Sequence, residues 1–201
     1  MDFQSADDGS VVSNLKTRKE ETRQRIVETA SRLFQQKGVD GVGVDEIMRE
    51  SGLTHGGFYA HFANKEALVA EACTCALQQA SAKWSGLGQL LSDDARFEQF
   101  MNEYLAGDPR TGAPACPAAM LGPDVARRGE AVQAAYTAGV KRMIEVIAKE
   151  AGAEREEAIA MFAAMIGATN LAASVGDDKA LAAEILQATR RQLLQCGVAE
   201  G

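Results

Sequence analysis

The chain has 201 residues, 46% hydrophobic and 24% charged, with 21 Lys+Arg against 28 Asp+Glu and a formal net charge of −7. That length and apolar share support a sizeable core and exclude wholesale disorder. No apolar run approaches the roughly 20 residues that span a bilayer, and Met1 to Ser10 lacks the basic region of a signal peptide.

A cytoplasmic location without a membrane is therefore expected. The 4 cysteines, Cys73, Cys75, Cys116 and Cys196, are then reduced thiols. No metal and no other cofactor is expected: Cys73 and Cys75 point about 200° apart on a helix, and neither of the 2 histidines joins a Cys/His cluster. Alanine is abundant, prolines are only 4, and nothing resembles a strand pair, so the fold class is all-α.

In chain order, residues 1–15 read as a flexible tail. A strong helix follows over about 18–37, with Ile26, Ala30, Leu33 and Phe34 on one face and Gly38 as its stop. A short helix spans about 44–51 and buries Val44, Ile47 and Met48. Gly52 ends it, Thr54 caps the next short helix over about 55–61, and Phe58 and Phe62 face inward. Asn64 caps a longer helix running towards Trp84, which Gly86 and Gly88 interrupt. Ser92 caps a helix over 93–106, residues 107–114 are a loop, and Pro117 opens a helix reaching about Arg128. The last three helices cover about 130–151, 154–173 and 178–196. The expected division is a tail at 1–15, a three-helix unit at 16–66 and a larger helical unit at 67–201.

Two short helices joined by a Gly-containing turn form a helix-turn-helix pattern. Its second helix must bring a small, polar N-terminus to the groove, which Thr54, His55, Gly56 and Gly57 supply. Tyr59 and His61 carry phosphate donors, and Lys65 has a basic tip for the DNA backbone. Charge is distributed to suit: residues 13–66 hold 9 Lys+Arg and 8 Asp+Glu, a balance of +1, whereas residues 67–201 hold 12 and 17, a balance of −5.

The stretch from Thr22 to Gly38, then Val44-Asp-Glu-Ile-Met, Ser51-Gly-Leu-Thr-His-Gly-Gly-Phe-Tyr-Ala-His-Phe and Asn64-Lys-Glu-Ala-Leu, resembles the DNA-binding domain of TetR-family repressors over about 50 residues. The resemblance implies a homodimer on a double-stranded DNA operator. It places Tyr59, His61 and Lys65 at phosphate-contacting positions and Thr54 to Gly57 against base edges. Arg18 and Arg23, otherwise an ordinary solvated face beside Lys19, would clasp phosphate at the domain's edge. Two residues depart from the pattern. Gly43 stands where Thr or Ser usually caps the second helix, and Ala60 where a larger side chain often lies, which leaves open an adaptor that has lost DNA binding.

On the last two helices, Ile159, Phe162, Ile166 and Thr169 make one stripe and Leu181, Ile185, Leu186 and Leu193 another. These suit either an intrachain core or a four-helix dimer interface, and the resemblance favours the dimer. Trp84, Phe100, Tyr104, Met120 and Tyr136 are either core or the lining of a pocket for an unknown small-molecule effector, with Arg127 or Arg128 as polar handles. Cys116 falls at a helix cap, where the dipole favours thiolate. Some TetR-like repressors carry a cysteine there, so an oxidant- or electrophile-sensing repressor is the alternative. No paired carboxylates and no Gly-rich phosphate loop stand out, so an enzyme is not expected.

Overall fold

The computed structural model describes residues 8–85, 93–106 and 116–196. Among them there is no strand. The elements are α1 (Asp8–Lys37), α2 (Val44–Glu50), a 3-10 helix (His55–Ala60), α3 (Lys65–Ser85), α4 (Asp93–Leu105), α5 (Pro117–Val125), α6 (Glu130–Ala151), α7 (Arg155–Ser174) and α8 (Lys179–Cys196). The all-helical class is as expected. The Gly86–Gly88 break, the Ser92 cap, residues 1–7 and the 107–114 loop lie outside the described residues.

Two elements differ from the sequence expectation. α1 begins at Asp8 rather than near Arg18; no proline interrupts residues 8–37, and propensity for a loose tail gives way to continuation of an existing helix. α5 ends at Val125 rather than near Arg128. Pro123 inside it has no N–H to give, and the chain tightens into i to i+3 bonds, Arg127 to Asp124 (3.1 Å) and Arg128 to Val125 (2.9 Å).

α1, α2, the 3-10 helix and the start of α3 share a core of Ile26, Ala30, Phe34, Ile47, Met48, Phe58, Phe62 and Leu68, all buried. Gly52 makes the α2 turn possible at φ +71°, where a Cβ would be strained. The core continues into the body through Leu77, Trp84, Phe100, Met101, Tyr104, Met143, Ile147, Phe162 and Met165.

The body is organised around the crossing of α3 and α6. Gly139 of α6 is buried directly on Leu77 of α3, and a Cβ built there would stand 2.6 Å from the Leu77 Cβ. α7 follows a left-handed turn at Gly152 (φ +61°) and starts in a capping box of Glu154 and Glu157. α4 is fastened to its neighbours by Arg96 to Glu150 on α6 (3.3 Å), Glu103 to Lys83 on α3 (3.4 Å) and Glu98 to Arg190 on α8 (2.8 Å).

The α3–α6 crossing generates a stability prediction. Gly139→Ala is expected to cost about 1–3 kcal/mol through overpacking. That should lower the thermal midpoint by roughly 2–4 °C for each kcal/mol lost in a chain of this size. An unchanged melting curve would mean that α3 and α6 part without cost.

Candidate functional site

The segment expected to face DNA is built from a turn and a helix that glycine keeps loose. Gly56 and Gly57 are poor helix formers, and residues 55–60 adopt the tighter 3-10 form, closed by Gly57 N–H to Thr54 O (3.1 Å) and His61 N–H to Phe58 O (2.9 Å). Thr54 stands at the N-cap in extended conformation, but its hydroxyl makes no capping bond. The expected side-chain cap is thus replaced by the Thr54 carbonyl. Phe58 turns inward and stacks on Phe62 at 5.6 Å.

Thr54, His55, Gly56 and Tyr59 are exposed on this segment, while Gly57 is half-buried. Tyr59 is 68% exposed, with its ring held edge-on against Phe58 (5.2 Å) and His55 (6.3 Å). His55 pairs through Nδ1 with the Asp45 carboxylate at the start of α2, a partner that the spacing of residues did not suggest. Gly43 forms the α2 N-cap in extended conformation, with nothing within 4 Å of where a Cβ would stand.

The remaining candidates are placed differently. Arg18 is exposed on α1. Arg23 does not stand free for phosphate: its guanidinium makes a two-pronged pair with Glu71 of α3 and lies 4.5 Å over the Phe62 ring. His61 is half-buried with Nδ1 lacking a hydrogen-bond partner. Burial, reinforced by Lys19 and Arg23, lowers its pKa, so it is a neutral imidazole at pH 7. Lys65 also turns inward: Nζ donates to the Val39 carbonyl (2.7 Å) and lies 5.9 Å over the Phe34 ring. Burial first, then Arg128, pulls its pKa below the usual lysine value.

Lys65 belongs to a clasp between the N-terminal helices and α5. Asp124 of α5 accepts the Val39 N–H (2.7 Å) while Lys65 takes the Val39 carbonyl, so both backbone groups of that residue are held. Arg128 bridges Glu66 (2.7 Å) and Asp40, and Arg127 pairs with Asp124 (2.8 Å). Arg128 therefore fastens the N-terminal helices to the body, whereas Arg127 pairs with Asp124, three residues before it.

Of the effector candidates, Trp84, Phe100, Tyr104, Cys116 and Tyr136 come together at the other end of α5. Trp84, Phe100, Tyr104 and Cys116 are buried, and Met120 and Tyr136 are half-buried. Trp84 and Tyr104 lie 4.9 Å apart and Phe100 stands edge-on to Trp84 at 6.0 Å. The Tyr136 hydroxyl donates to the Ala118 carbonyl (2.8 Å). Cys116 is the N-cap of α5, as expected, but the thiolate expectation fails: burial pushes the thiol up, outweighing the Tyr104 hydroxyl and the Ala119 and Ala118 backbone, which lower it. Burial likewise lifts Cys73 to about 11 and Tyr136 to about 12. Among the described residues no group of His, Cys, Asp and Glu could hold a metal ion.

Comparison with known proteins places this geometry. Residues 26–72 match the family model described as bacterial regulatory proteins, tetR family. The HTH-type transcriptional regulator AcrR of Shigella flexneri is 45% identical over 58 residues, 28% of this chain and 27% of that protein. SrpR of Pseudomonas putida, another HTH-type regulator, is 46% identical over 46 residues, 23% of this chain and 22% of that protein. The chain thus matches under a third of the length of these curated relatives, which are regulators and not enzymes. Over the whole fold, the reduced form of E. coli NemR aligns with a TM-score of 0.74 at 18% identity, covering 86% of this chain and 95% of that one. A TetR transcriptional regulator from Chloroflexus aurantiacus aligns with a TM-score of 0.72 at 22% identity, covering 92% and 98%.

The burial of Cys116 fixes its chemistry. In a Cys196→Ser variant at pH 8, Cys116 is expected to react with Ellman's reagent on the order of 100-fold more slowly than in the unfolded chain, because attack waits on local opening. Mass spectrometry that finds Cys116 labelled in a fast first phase would contradict this.

Proposed function

Since residues 26–72 are a TetR-type DNA-binding segment on a body with the fold of TetR-family regulators, we propose that this chain is a homodimeric transcription repressor. It holds a pseudo-palindromic double-stranded operator and leaves it when a small-molecule effector binds the body. The observation that carries DNA reading is the exposed segment from Thr54 to Tyr59, whose threonine and tyrosine hydroxyls make no internal hydrogen bond while the phenylalanines beside them are buried. Two such segments related by a two-fold axis meet half-sites about one helical turn apart or somewhat more.

Dimerisation is supported by an uncovered face on α7. Ala158, Met161, Phe162, Met165, Ala168, Thr169 and Ala172 of that helix are buried within the chain. On its other side Ala160, Ala164 and Leu171 are exposed, at a spacing that makes one seam with half-buried Gly167. Ile159 and, on α8, Leu181 are also exposed, at 45% and 40%. Contrary to the expectation that no apolar run is long enough to span a bilayer, α7 is long and apolar enough to do so by length and composition, yet much of it is uncovered within the chain. A second copy of the same small-residue face removes this apolar surface from water.

Release follows from coupling. α5 has Cys116 and the aromatic cluster at its start and the Asp124–Arg128 clasp beyond its middle. An effector that binds one setting of α5 more tightly than the other shifts the spacing of the reading segments by that difference in affinity alone.

Two outcomes are expected. Tyr59→Ala weakens binding to the operator by roughly 10-fold or more, corresponding to about 1.4 kcal/mol, and leaves the melting temperature unchanged; footprinting beside the protein's own gene supplies the site and a titration the affinity. Leu171→Glu turns the dimer into a folded monomer in sedimentation equilibrium. A Tyr59→Ala protein with full affinity would remove the DNA reading from this segment, and a dimer that tolerates glutamate at position 171 would move the interface elsewhere.

A further inference from the structure

Two hydrogen-bond donors lie unused next to each other inside the body. Trp84 Nε1 and the Tyr104 hydroxyl are buried, and neither meets an acceptor. Their rings are 4.9 Å apart and tilted by 42°. Buried donors are almost always paired, and leaving one unpaired is destabilising. Tyr104 is 1% exposed, so solvent does not repair the loss. The Cys116 thiol lies beside the Tyr104 hydroxyl without closing a well-aligned bond to it.

The surroundings define what could use these donors. Phe100 packs on both rings, 6.0 Å from each, and stacks on Phe97 at 6.3 Å. The titratable groups that act on Tyr104 are Cys116 and Tyr136, both neutral at pH 7 because burial raises them. A charged ligand would find no compensation from these groups. A flat ring would stack with the indole and phenol, and an acceptor on it would take up the idle donors.

We propose that Trp84 and Tyr104 are the recognition pair of an effector site for an uncharged planar ring compound bearing a hydrogen-bond acceptor such as a carbonyl or nitro oxygen. This rests on the regulator reading above and gives its effector a chemical class. The ligand sits beside Cys116 at the start of α5, the helix whose other end holds Val39.

The test is calorimetric titration of the full chain, without DNA, using 2-acetylnaphthalene and 2-ethylnaphthalene, which share the ring and differ in the acceptor. The ketone is expected to bind about 10-fold more tightly than the hydrocarbon, the worth of one to two hydrogen bonds. Tyr104→Phe abolishes that preference, leaves the hydrocarbon unchanged, and melts no lower than the parent because it deletes an unpaired hydroxyl. Trp84→Phe gives a second test of the same preference if the first variant does not fold. Equal binding of both compounds, no binding of either at its solubility limit, or an undiminished preference in the variants overturns the proposal. Operator binding is measured separately, so failure here leaves the DNA reading standing, and ketone binding by a chain that ignores DNA would uphold the site while removing its regulatory output.

Discussion

The position of α3 is set by a glycine on another helix. Gly139 lets α6 lie directly on Leu77, and with no Cβ between them the two helix backbones come close enough to form the spine of the body. α3 is also the last helix of the DNA-binding segment, where Glu71 holds Arg23 of α1 and Lys65 holds Val39. One continuous helix therefore carries the orientation of the reading segment into the body. If the α3–α6 crossing slid, the reading segment would swing with it.

A second tie restrains the same joint from the side of α5. Asp124 and Arg128 act at Val39, Asp40 and Glu66 through charge-assisted bonds that are partly open to water. Such pairs are individually weak, so they suit a contact that is remade when the body changes shape. The apolar crossing and the ionic clasp thus tie the N-terminal helices to the body from two sides.

How legible this was in the sequence depended on the range of each interaction. Local signals read well: Gly38, Gly52, Asn64 and Pro117 mark element ends where glycine conformation, a side-chain cap or a missing N–H demands it, and Ala67 N–H indeed finds Asn64 Oδ1 at 2.9 Å. Phe58 and Phe62 were recognisable as core by spacing, and Tyr59 between them as outward. Partners far along the chain were not readable. Arg23 looked like a phosphate ligand because Glu71 is 48 residues away, and Arg128 like a pocket residue because Asp40 is 88 away. Cys116 was placed correctly at a helix cap, but its reactivity depends on burial by α4 and α6, which no local pattern encodes.

The pairing of cations inside the protein limits the positive charge its N-terminal helices offer to an anionic partner. Of the 9 Lys+Arg in residues 13–66, Arg23, Arg32, Lys37 and Lys65 are engaged with Glu71, Glu50, Glu46 and the Val39 carbonyl, and the whole chain carries a net charge of −7. Random DNA is held almost wholly by the counterions that protein cations displace from phosphate. Each cation paired within the chain is one fewer to displace those counterions, so under the proposed function this segment would grip random DNA less tightly than its 9 Lys+Arg suggest.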